Sequence, residues 1–376
     1  METHGNSFDR LWYIRIISAA VLLALTLSAV LTRPFTLKED TDISGIINIS
    51  HIESGQTQKA AEEPSSDEIV SAEENPYETQ EAVSEKSVSR SFETPDDILS
   101  SEEKYLAAFA DKEADGKVTE VFFRTSGATY TSDTLAVKNT TTKSPDYEKL
   151  LKEGPELNIE DKSEPVVLIY HTHTTESYLL SDNGVFYSEY KTRSTDPKLN
   201  MVRVGDEICR VLEENGIGFI HDTDIYDESY EGAYSRSRVK TEEYLKKYPS
   251  VQIAIDVHRD AIYYSDTQRA KPTAEIDGRK AAQLMIISGA EEGYITDYKN
   301  WENNLRFSLC FQKTAEELYP GIMKPLYFCP RKYNMDLLPS SFLLEVGTDA
   351  NTLEEAVYSG YLTGKILTEI IKEYEK

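Results

Sequence analysis

The chain has 376 residues, a formal net charge of −26 at pH 7 and three cysteines. The acidic balance argues against a nucleic-acid partner, because phosphate groups repel an acidic surface. The cysteines (Cys209, Cys310 and Cys329) form no C-x-x-C pair, so no disulfide framework is implied. The length would allow two domains, but the first third is too polar to build a core, and we expect one folded domain.

The first element along the chain is an apolar stretch at residues 11–32. About 20 mostly apolar residues can cross roughly 30 Å of hydrocarbon as a helix. Arg10 and Arg15 lie at its amino end, which predicts a cytoplasmic segment 1–10 and an extracytoplasmic remainder, although Arg33 and Lys38 weaken this orientation. A cleaved signal peptide is the alternative, but its apolar region is usually shorter. We predict an uncleaved single-pass anchor in the cell membrane.

Residues 33–110 are rich in Glu, Asp, Ser and Thr and contain few aromatic residues. Such a composition cannot bury enough apolar surface to fold, so we predict an acidic disordered linker. Within it, residues 98–110 could form a short helix. The folded domain is predicted to comprise residues 111–376.

Strand and helix patterns alternate through this domain. Residues 118–134 contain β-branched and aromatic residues around a Ser-Gly turn signal and predict a hairpin. Thr352 and Glu355 form a capping box at the start of the last helix. Further strands are predicted at 166–170, 217–221, 251–257, 283–288 and 342–346, and helices at 200–215, 236–248, 301–319 and 352–374. The alternation predicts an α/β fold with a three-layer, mostly parallel sheet flanked by helices.

Metal-binding residue types follow two of the predicted strands directly. His171, His173 and Glu176 come after strand 166–170, and His258 comes after strand 251–257. If these strands are parallel neighbours, the side chains lie at one edge of the sheet, where open α/β folds bind ligands. His173, Glu176 and His258 form the two-histidine, one-glutamate set of catalytic zinc sites.

His171 shares a strand face with His173 if the strand continues through both residues. It is therefore a candidate zinc ligand, a partner of a ligand or a substrate contact. A lone histidine at a strand end is more often a hydrogen-bonded structural residue, and for His221 the two interpretations are equally good.

Glu345 lies in the apolar strand FLLEVG. A buried carboxylate is unfavourable unless it is paired or functional, and beside a zinc-bound water it would be a natural general base. A structural pair with Arg259 is the alternative. The triplet His258-Arg259-Asp260 resembles a protein-kinase motif, but Ser265 stands where that motif has asparagine, and no D-F-G or glycine-rich loop accompanies it.

Three segments, LIYHTHTTESY, IAIDVHRDA and SFLLEVGTDANTLEEA, follow the predicted anchor and linker in this order. Together they resemble the stage II sporulation protein P (SpoIIP) family from about residue 164 to the carboxyl terminus. The resemblance implies a zinc-dependent N-acetylmuramoyl-L-alanine amidase fold, with amidase and endopeptidase activity on peptidoglycan. It also implies action at the sporulation septum during forespore engulfment, together with a SpoIID-like lytic transglycosylase and a SpoIIM-like membrane protein.

The related amidases imply roles for individual residues. Their first zinc histidine follows a strand, as His173 does, and their later zinc histidine lies in a context similar to that of His258. Their catalytic glutamate lies in a context similar to that of Glu345. Their zinc glutamate lies well downstream of the first histidine, whereas Glu176 is three residues away, so alternatives to Glu176 are Glu189 and Glu207.

The expected chemistry is zinc-assisted amide hydrolysis, with Glu345 as the base. Arg259 is expected to stabilise the oxyanion, to bind a carboxylate of the stem peptide, or to form a structural ion pair. Two other functions stay open: an endopeptidase that cuts stem-peptide crosslinks, and a non-catalytic, membrane-tethered scaffold that binds the cell wall.

Overall fold

The computed structural model describes residues 92–376. The predicted anchor at 11–32 and the linker up to residue 91 lie outside the described residues. No helix within residues 92–376 is both long enough and apolar enough to cross a membrane.

Six α-helices and thirteen strands are found in the described part of the chain. The helices are α1 (Asp96–Phe109), α2 (Tyr147–Glu153), α3 (Met201–Glu214), α4 (Ala233–Lys247), α5 (Trp301–Leu318) and α6 (Leu353–Tyr374). The strands are β1 (Gly116–Val121), β2 (Tyr130–Thr131), β3 (Ala136–Asn139), β4 (Pro165–Tyr170), β5 (Val185–Phe186), β6 (Gly218–His221), β7 (Ile253–Asp260), β8 (Tyr263–Ser265), β9 (Gln268–Ile276), β10 (Arg279–Ala282), β11 (Leu284–Gly289), β12 (Leu326–Cys329) and β13 (Ser341–Thr348).

The larger sheet has eight strands in the order β2-β3-β12-β11-β13-β7-β4-β6. Five of its seven pairings are parallel, and the antiparallel ones are β2–β3 and β11–β13. The predicted mixed α/β fold is therefore confirmed. The predicted capping box of Thr352 and Glu355 is also present, at the start of α6.

Helices cover both faces of this sheet. Successive side chains of a strand point to opposite faces. Along β4, Val167 and Ile169 pack in the main core with residues of α3, α5 and α6. Leu168 and Tyr170 pack on the other side, against Tyr244 of α4. Every interior position of β4 is therefore apolar because both of its faces are covered.

A second, smaller sheet was not predicted. It has the order β10-β9-β1-β5, with β8 paired to β9. The predicted hairpin at 118–134 is wrong, because β1 pairs with β9 and β5 whereas β2 joins β3 in the larger sheet. Gly127 does adopt a positive φ of 71°, as a turn requires. The turn signal was therefore sound, but a local pattern does not identify the partners of the strands beside it.

The end of the predicted linker packs onto the folded domain. Residues 98–110, predicted as a possible short helix, correspond closely to α1. Ile98 and Tyr105 of this helix are buried. Just before the helix, the ring of Phe92 lies 4.9 Å from that of Tyr358 and 5.6 Å from that of Tyr361. A folded domain that began at residue 111, as predicted, would lack these contacts.

Strands β4, β7 and β13 bring the predicted site residues together. They are adjacent and mutually parallel, with Tyr170 opposite Asp256 and His258 opposite Glu345. Directly after Glu345 the pairing of β13 shifts register, and Gly347 adopts a φ of 62°. The carboxyl ends of the three strands therefore meet at one edge of the sheet.

We predict that a version of the chain that starts at residue 111 is several kcal/mol less stable than one that starts at residue 92. Burial of one large apolar side chain contributes about 1.5–3 kcal/mol, and Phe92, Ile98 and Tyr105 are all lost. Denaturant unfolding measures the difference. Two substitutions in the longer version form a matched pair. Ile98→Ala should lower the free energy of unfolding because Ile98 is buried, whereas the neighbouring Leu99→Ala should not because Leu99 is exposed. Equal stability of the two versions would contradict the prediction.

Candidate active site

A small cavity of about 30 Å³ opens at the carboxyl edge of β4, β7 and β13. It contains all but one of the predicted site residues. Its lining consists of His173, Glu176, Tyr234, His258, Arg259, Asp260, Ala261, Ile287, Tyr333, Leu343 and Glu345. One side is thus polar and ionisable and the other is apolar or aromatic.

His258 lies between two buried carboxylates. Its Nε2 is 2.8 Å from Asp256 Oδ1, and its Nδ1 is 3.4 Å from Glu176 Oε2. The Nε2 contact with Oδ1 does not have hydrogen-bond geometry and is an ion pair. Burial disfavours the imidazolium, but Asp256 and Glu176 outweigh it and raise the pKa of His258 well above its ordinary value. The site therefore favours a cationic group at this point.

Glu176 is an ionised carboxylate in the interior. Burial opposes its ionisation, but the His258 ring and the Arg259 guanidinium hold its pKa well below the usual range. Glu176 Oε2 accepts a hydrogen bond from the backbone N–H of Arg259 at 3.2 Å, and Oε1 lies 3.6 Å from the guanidinium of Arg193. These contacts hold the carboxylate beside His258.

His173 faces His258 across the cavity. The two ring centroids are 5.2 Å apart, and the rings are nearly perpendicular at 86°. On its other side, His173 stacks on Tyr230 at 4.7 Å. Burial lowers the pKa of His173 to about 4, so the ring is neutral at pH 7, which is the protonation state of a metal-binding imidazole.

Glu345 faces the same cavity from β13. Its Oε2 is buried and has no hydrogen-bond partner in the described part of the chain. Burial and the neighbouring Asp260 carboxylate raise the pKa of Glu345 to about 8. A carboxyl group with a pKa this close to neutrality can take up and return a proton.

Arg259 points away from the reacting side of the cavity. Its guanidinium donates to the backbone carbonyls of Ser177 at 3.1 Å, Thr192 at 2.8 Å and Asp260 at 3.4 Å. These contacts do not fit the predicted roles of oxyanion or carboxylate binding, or the alternative pair with Glu345. Arg259 instead ties the segment around Thr192 to the one that carries Glu176.

His171 is separated from the other predicted ligands. Its Nδ1 lies 3.0 Å from the carbonyl oxygen of Val257, and its Nε2 lies 3.0 Å from Nε2 of His221. The carbonyl can only accept, so Nδ1 carries the proton and Nε2 accepts one from His221. Both ring nitrogens make contacts within the core, so His171 is not positioned to bind a metal together with His173.

The reason for this error is the end of the strand. The argument that His171 and His173 share a face required β4 to continue through both, but β4 ends at Tyr170. The chain then turns, and the two imidazoles diverge. His221 has a structural role, which is one of the two roles that its sequence position allowed. It contacts His171 on one side and Asp206, at 3.2 Å, on the other.

The two alternatives to Glu176 lie outside the cavity. Glu207 accepts hydrogen bonds from Arg210 at 3.0 and 2.6 Å, and Glu189 pairs with Lys112 on the surface. Of the three glutamates considered, only Glu176 lines the cavity.

Asp256, Tyr234 and Tyr333 are among the residues at the site that were not predicted from the sequence. Asp256 had a usable signal, because it is an acidic residue in an apolar strand, two positions before His258 and hence on the same face. The two tyrosines had none, since they come from separate parts of the chain and meet at a ring distance of 5.0 Å.

Within residues 92–376, no three or more His, Cys, Asp and Glu side chains are arranged as a ready-made metal site. The side chains of His173, Glu176 and His258 nevertheless line one cavity. The described residues also include all three cysteines, which are buried thiols.

Comparisons with known proteins agree with the sequence resemblance. The model of the family described as "Stage II sporulation protein P (SpoIIP)" matches residues 41–372. The chain is 31% identical over 237 residues to the stage II sporulation protein P of Bacillus subtilis (strain 168). That match covers 60% of this chain and 55% of the relative, so it spans about half of the relative's length.

Solved structures with a limited similarity include two amidases. One is the N-acetylmuramoyl-L-alanine amidase AmiC2 of Nostoc punctiforme, with 12% identity, 57% of this chain and 98% of that chain covered, and a TM-score of 0.32. The other is the CwlD amidase from Clostridioides difficile in complex with the GerS lipoprotein, with 13% identity, 55% and 99% covered, and a TM-score of 0.33. Because the family match extends over most of the chain, the protein belongs to the stage II sporulation protein P (SpoIIP) family.

Proposed function

We propose that this protein is a zinc-dependent peptidoglycan hydrolase of the N-acetylmuramoyl-L-alanine amidase type that acts in forespore engulfment. The observation that carries the proposal is that His173, Glu176, His258 and Glu345 line one buried cavity. Membership of a sporulation protein family supports the biological setting. We also propose that the fold of the domain is related to that of the amidases.

One distance between donor atoms is compatible with a shared zinc ion. Two ligands about 2.0–2.1 Å from a tetrahedral zinc ion lie roughly 3.3 Å apart. The separation of His258 Nδ1 and Glu176 Oε2 is 3.4 Å. His173 is neutral and Glu176 is ionised, as metal ligands need to be, whereas His258, whose pKa is raised, would have to release its Nδ1 proton when the ion binds. We assign His173, Glu176 and His258 as the residues that would hold the ion.

Zinc held by His173, Glu176 and His258 would supply a Lewis acid that polarises the scissile carbonyl and lowers the pKa of water. Glu345 takes the proton from the attacking water and returns it to the departing L-alanine nitrogen. Without a metal the pKa of about 8 leaves Glu345 mostly protonated at pH 7, and the positive charge of a bound zinc ion would lower this pKa and favour the ionised base. Ile287 and Leu343, which are paired across β11 and β13, add apolar surface to the lining of the cavity.

The protein is proposed to act outside the cytoplasm, at the sporulation septum, anchored by residues 11–32. Peptidoglycan is its proposed substrate. A SpoIID-like transglycosylase and a SpoIIM-like membrane protein are proposed partners on the resemblance to the family alone.

We expect the purified protein to release intact stem peptides that begin with L-alanine from peptidoglycan. A chelator should abolish the release, and added zinc should restore it. Removal of the ion would leave the site without the Lewis acid that polarises the scissile carbonyl. Mass spectrometry of the products distinguishes this from endopeptidase action, which cuts crosslinks and leaves the stems on muramic acid. No hydrolysis at any zinc concentration would favour the non-catalytic scaffold.

A second prediction separates metal binding from proton transfer. Glu345→Gln should keep its zinc and lose activity by about 10²-fold or more, the scale of general acid–base catalysis. His173→Ala and His258→Ala should lose zinc, since each removes one of three protein ligands. His171→Ala is the matched control and should keep zinc, because its ring contacts Val257 and His221. Loss of zinc from Glu345→Gln and retention by His173→Ala would refute the assignment.

Arg259 is proposed to position Glu176 and not to take part in the reaction. Arg259→Lys should lower the free energy of unfolding by roughly 2–4 kcal/mol, because an unsatisfied buried carbonyl costs about 1–3 kcal/mol. Arg210, whose side chain is 39% exposed, pairs with the surface residue Glu214 and the buried Glu207, and Arg210→Lys, which keeps the charge beside both, is the matched control and should change stability little. Chemical denaturation measures both. Unchanged stability with lost activity would indicate a catalytic guanidinium instead.

A further inference from the structure

Asp256 is a buried carboxylate that the proposed mechanism uses neither as a ligand nor as a base. We propose that Asp256 is a positioning residue whose carboxylate fixes the His258 ring so that Nδ1 faces Glu176 and the cavity. The inference rests on the proposed function in that the expected benefit of this orientation is tighter zinc binding. The orientation itself is a property of the protein alone.

The carboxylate of Asp256 is held rigidly. Oδ1 accepts a hydrogen bond from the backbone N–H of Thr172 at 2.8 Å, and Oδ2 accepts one from the Thr172 hydroxyl at 2.7 Å. Both oxygens are therefore fixed by one residue of the turn that follows β4. Oδ1 also lies 2.8 Å from Nε2 of His258. A fixed acceptor on one side of an imidazole determines which ring nitrogen is presented on the other.

The same hydrogen bonds continue to the aromatic wall of the cavity. The Thr172 hydroxyl lies 2.8 Å from the Ser237 hydroxyl on α4. Asn334 donates to Ser237 Oγ at 3.1 Å and to the backbone carbonyl of Tyr234, also at 3.1 Å. Tyr333, next to Asn334, has a φ of 43°, which is unfavourable for a bulky residue and needs support from its surroundings. Asp256 thus lies at the end of a network that joins a proposed ligand to two lining tyrosines.

A merely structural role for Asp256 leads to a different expectation. If it only satisfied Thr172, its loss would lower the stability of the whole domain and leave the intrinsic affinity for metal unchanged. If it orients His258, its loss acts on metal affinity directly. Removal of a hydrogen-bonding partner of a metal-bound histidine typically weakens metal binding by about 10- to 100-fold.

The experiment compares Asp256→Asn and Asp256→Ala with the wild-type chain. Asparagine keeps the shape and one acceptor oxygen but removes the charge, whereas alanine removes both. Asp222→Asn is the matched control, because Asp222 is also buried and hydrogen-bonded, to the Tyr226 hydroxyl and the Asp224 N–H, but does not line the cavity. Zinc dissociation constants are measured by competition with a chelating dye, and thermal unfolding of the zinc-free proteins is measured in parallel.

We expect the zinc dissociation constant to rise about 10-fold in Asp256→Asn and toward 100-fold in Asp256→Ala, and to stay unchanged in Asp222→Asn. An unchanged constant in both folded Asp256 variants overturns the proposal. If Asp256→Ala does not fold, the zinc dissociation constant of Asp256→Asn alone tests the proposal.

A second readout does not need the metal. In the zinc-free protein, nuclear magnetic resonance of nitrogen-15-labelled histidine should show a His258 Nε2–H signal that is protected from solvent exchange. The signal should persist in Asp222→Asn and be lost in Asp256→Ala, or shift toward a weaker hydrogen bond in Asp256→Asn. A signal that is the same in all variants overturns the proposal. Absence of zinc binding in the wild type would refute the proposed function, whereas this readout would still decide the role of Asp256.

Discussion

The architecture of the candidate site depends on one buried imidazole held between two carboxylates. His258 contacts Asp256 on one side and Glu176 on the other, and all three side chains are almost completely buried. Charges in the interior are strongly unfavourable unless they are paired and hydrogen-bonded. Much of the local structure supplies those bonds, because the protein has to compensate two negative charges at a place where water does not reach them.

Each carboxylate has its own support. Asp256 is held by the backbone and hydroxyl of Thr172. Glu176 is held by the backbone N–H of Arg259, whose guanidinium in turn binds the carbonyls of Ser177 and Thr192. One support lies in the turn after β4 and the other in β7, and the two carboxylates reach His258 from opposite sides. The site is therefore rigid before any ligand binds, which favours tight and selective binding because little ordering remains to be done.

The parallel arrangement of β4, β7 and β13 makes this possible. Parallel neighbours place their carboxyl ends at the same edge, so polar residues just after or near the ends of three apolar strands converge without long loops. Burial on both faces of the sheet keeps the strands in register, because a slip of one residue would move each apolar set to the wrong face. Gly347 then lets β13 bend after Glu345, with a positive φ that suits glycine.

The sequence by itself determined the α/β character of the domain and the approximate positions of its main strands and helices, and it singled out His173, Glu176, His258 and Glu345, which line one cavity. These followed from local signals: apolar runs, helical periodicity, a capping box and ionisable side chains beside buried strands. Only the tertiary structure decided the partners of β1 and β2, because strand pairing depends on residues far away in the chain. It also decided that His171 bonds to Val257 and His221 and that the Arg259 guanidinium faces carbonyl groups, because the direction of a side chain beyond the end of a strand depends on the turn that follows and not on the strand's alternation.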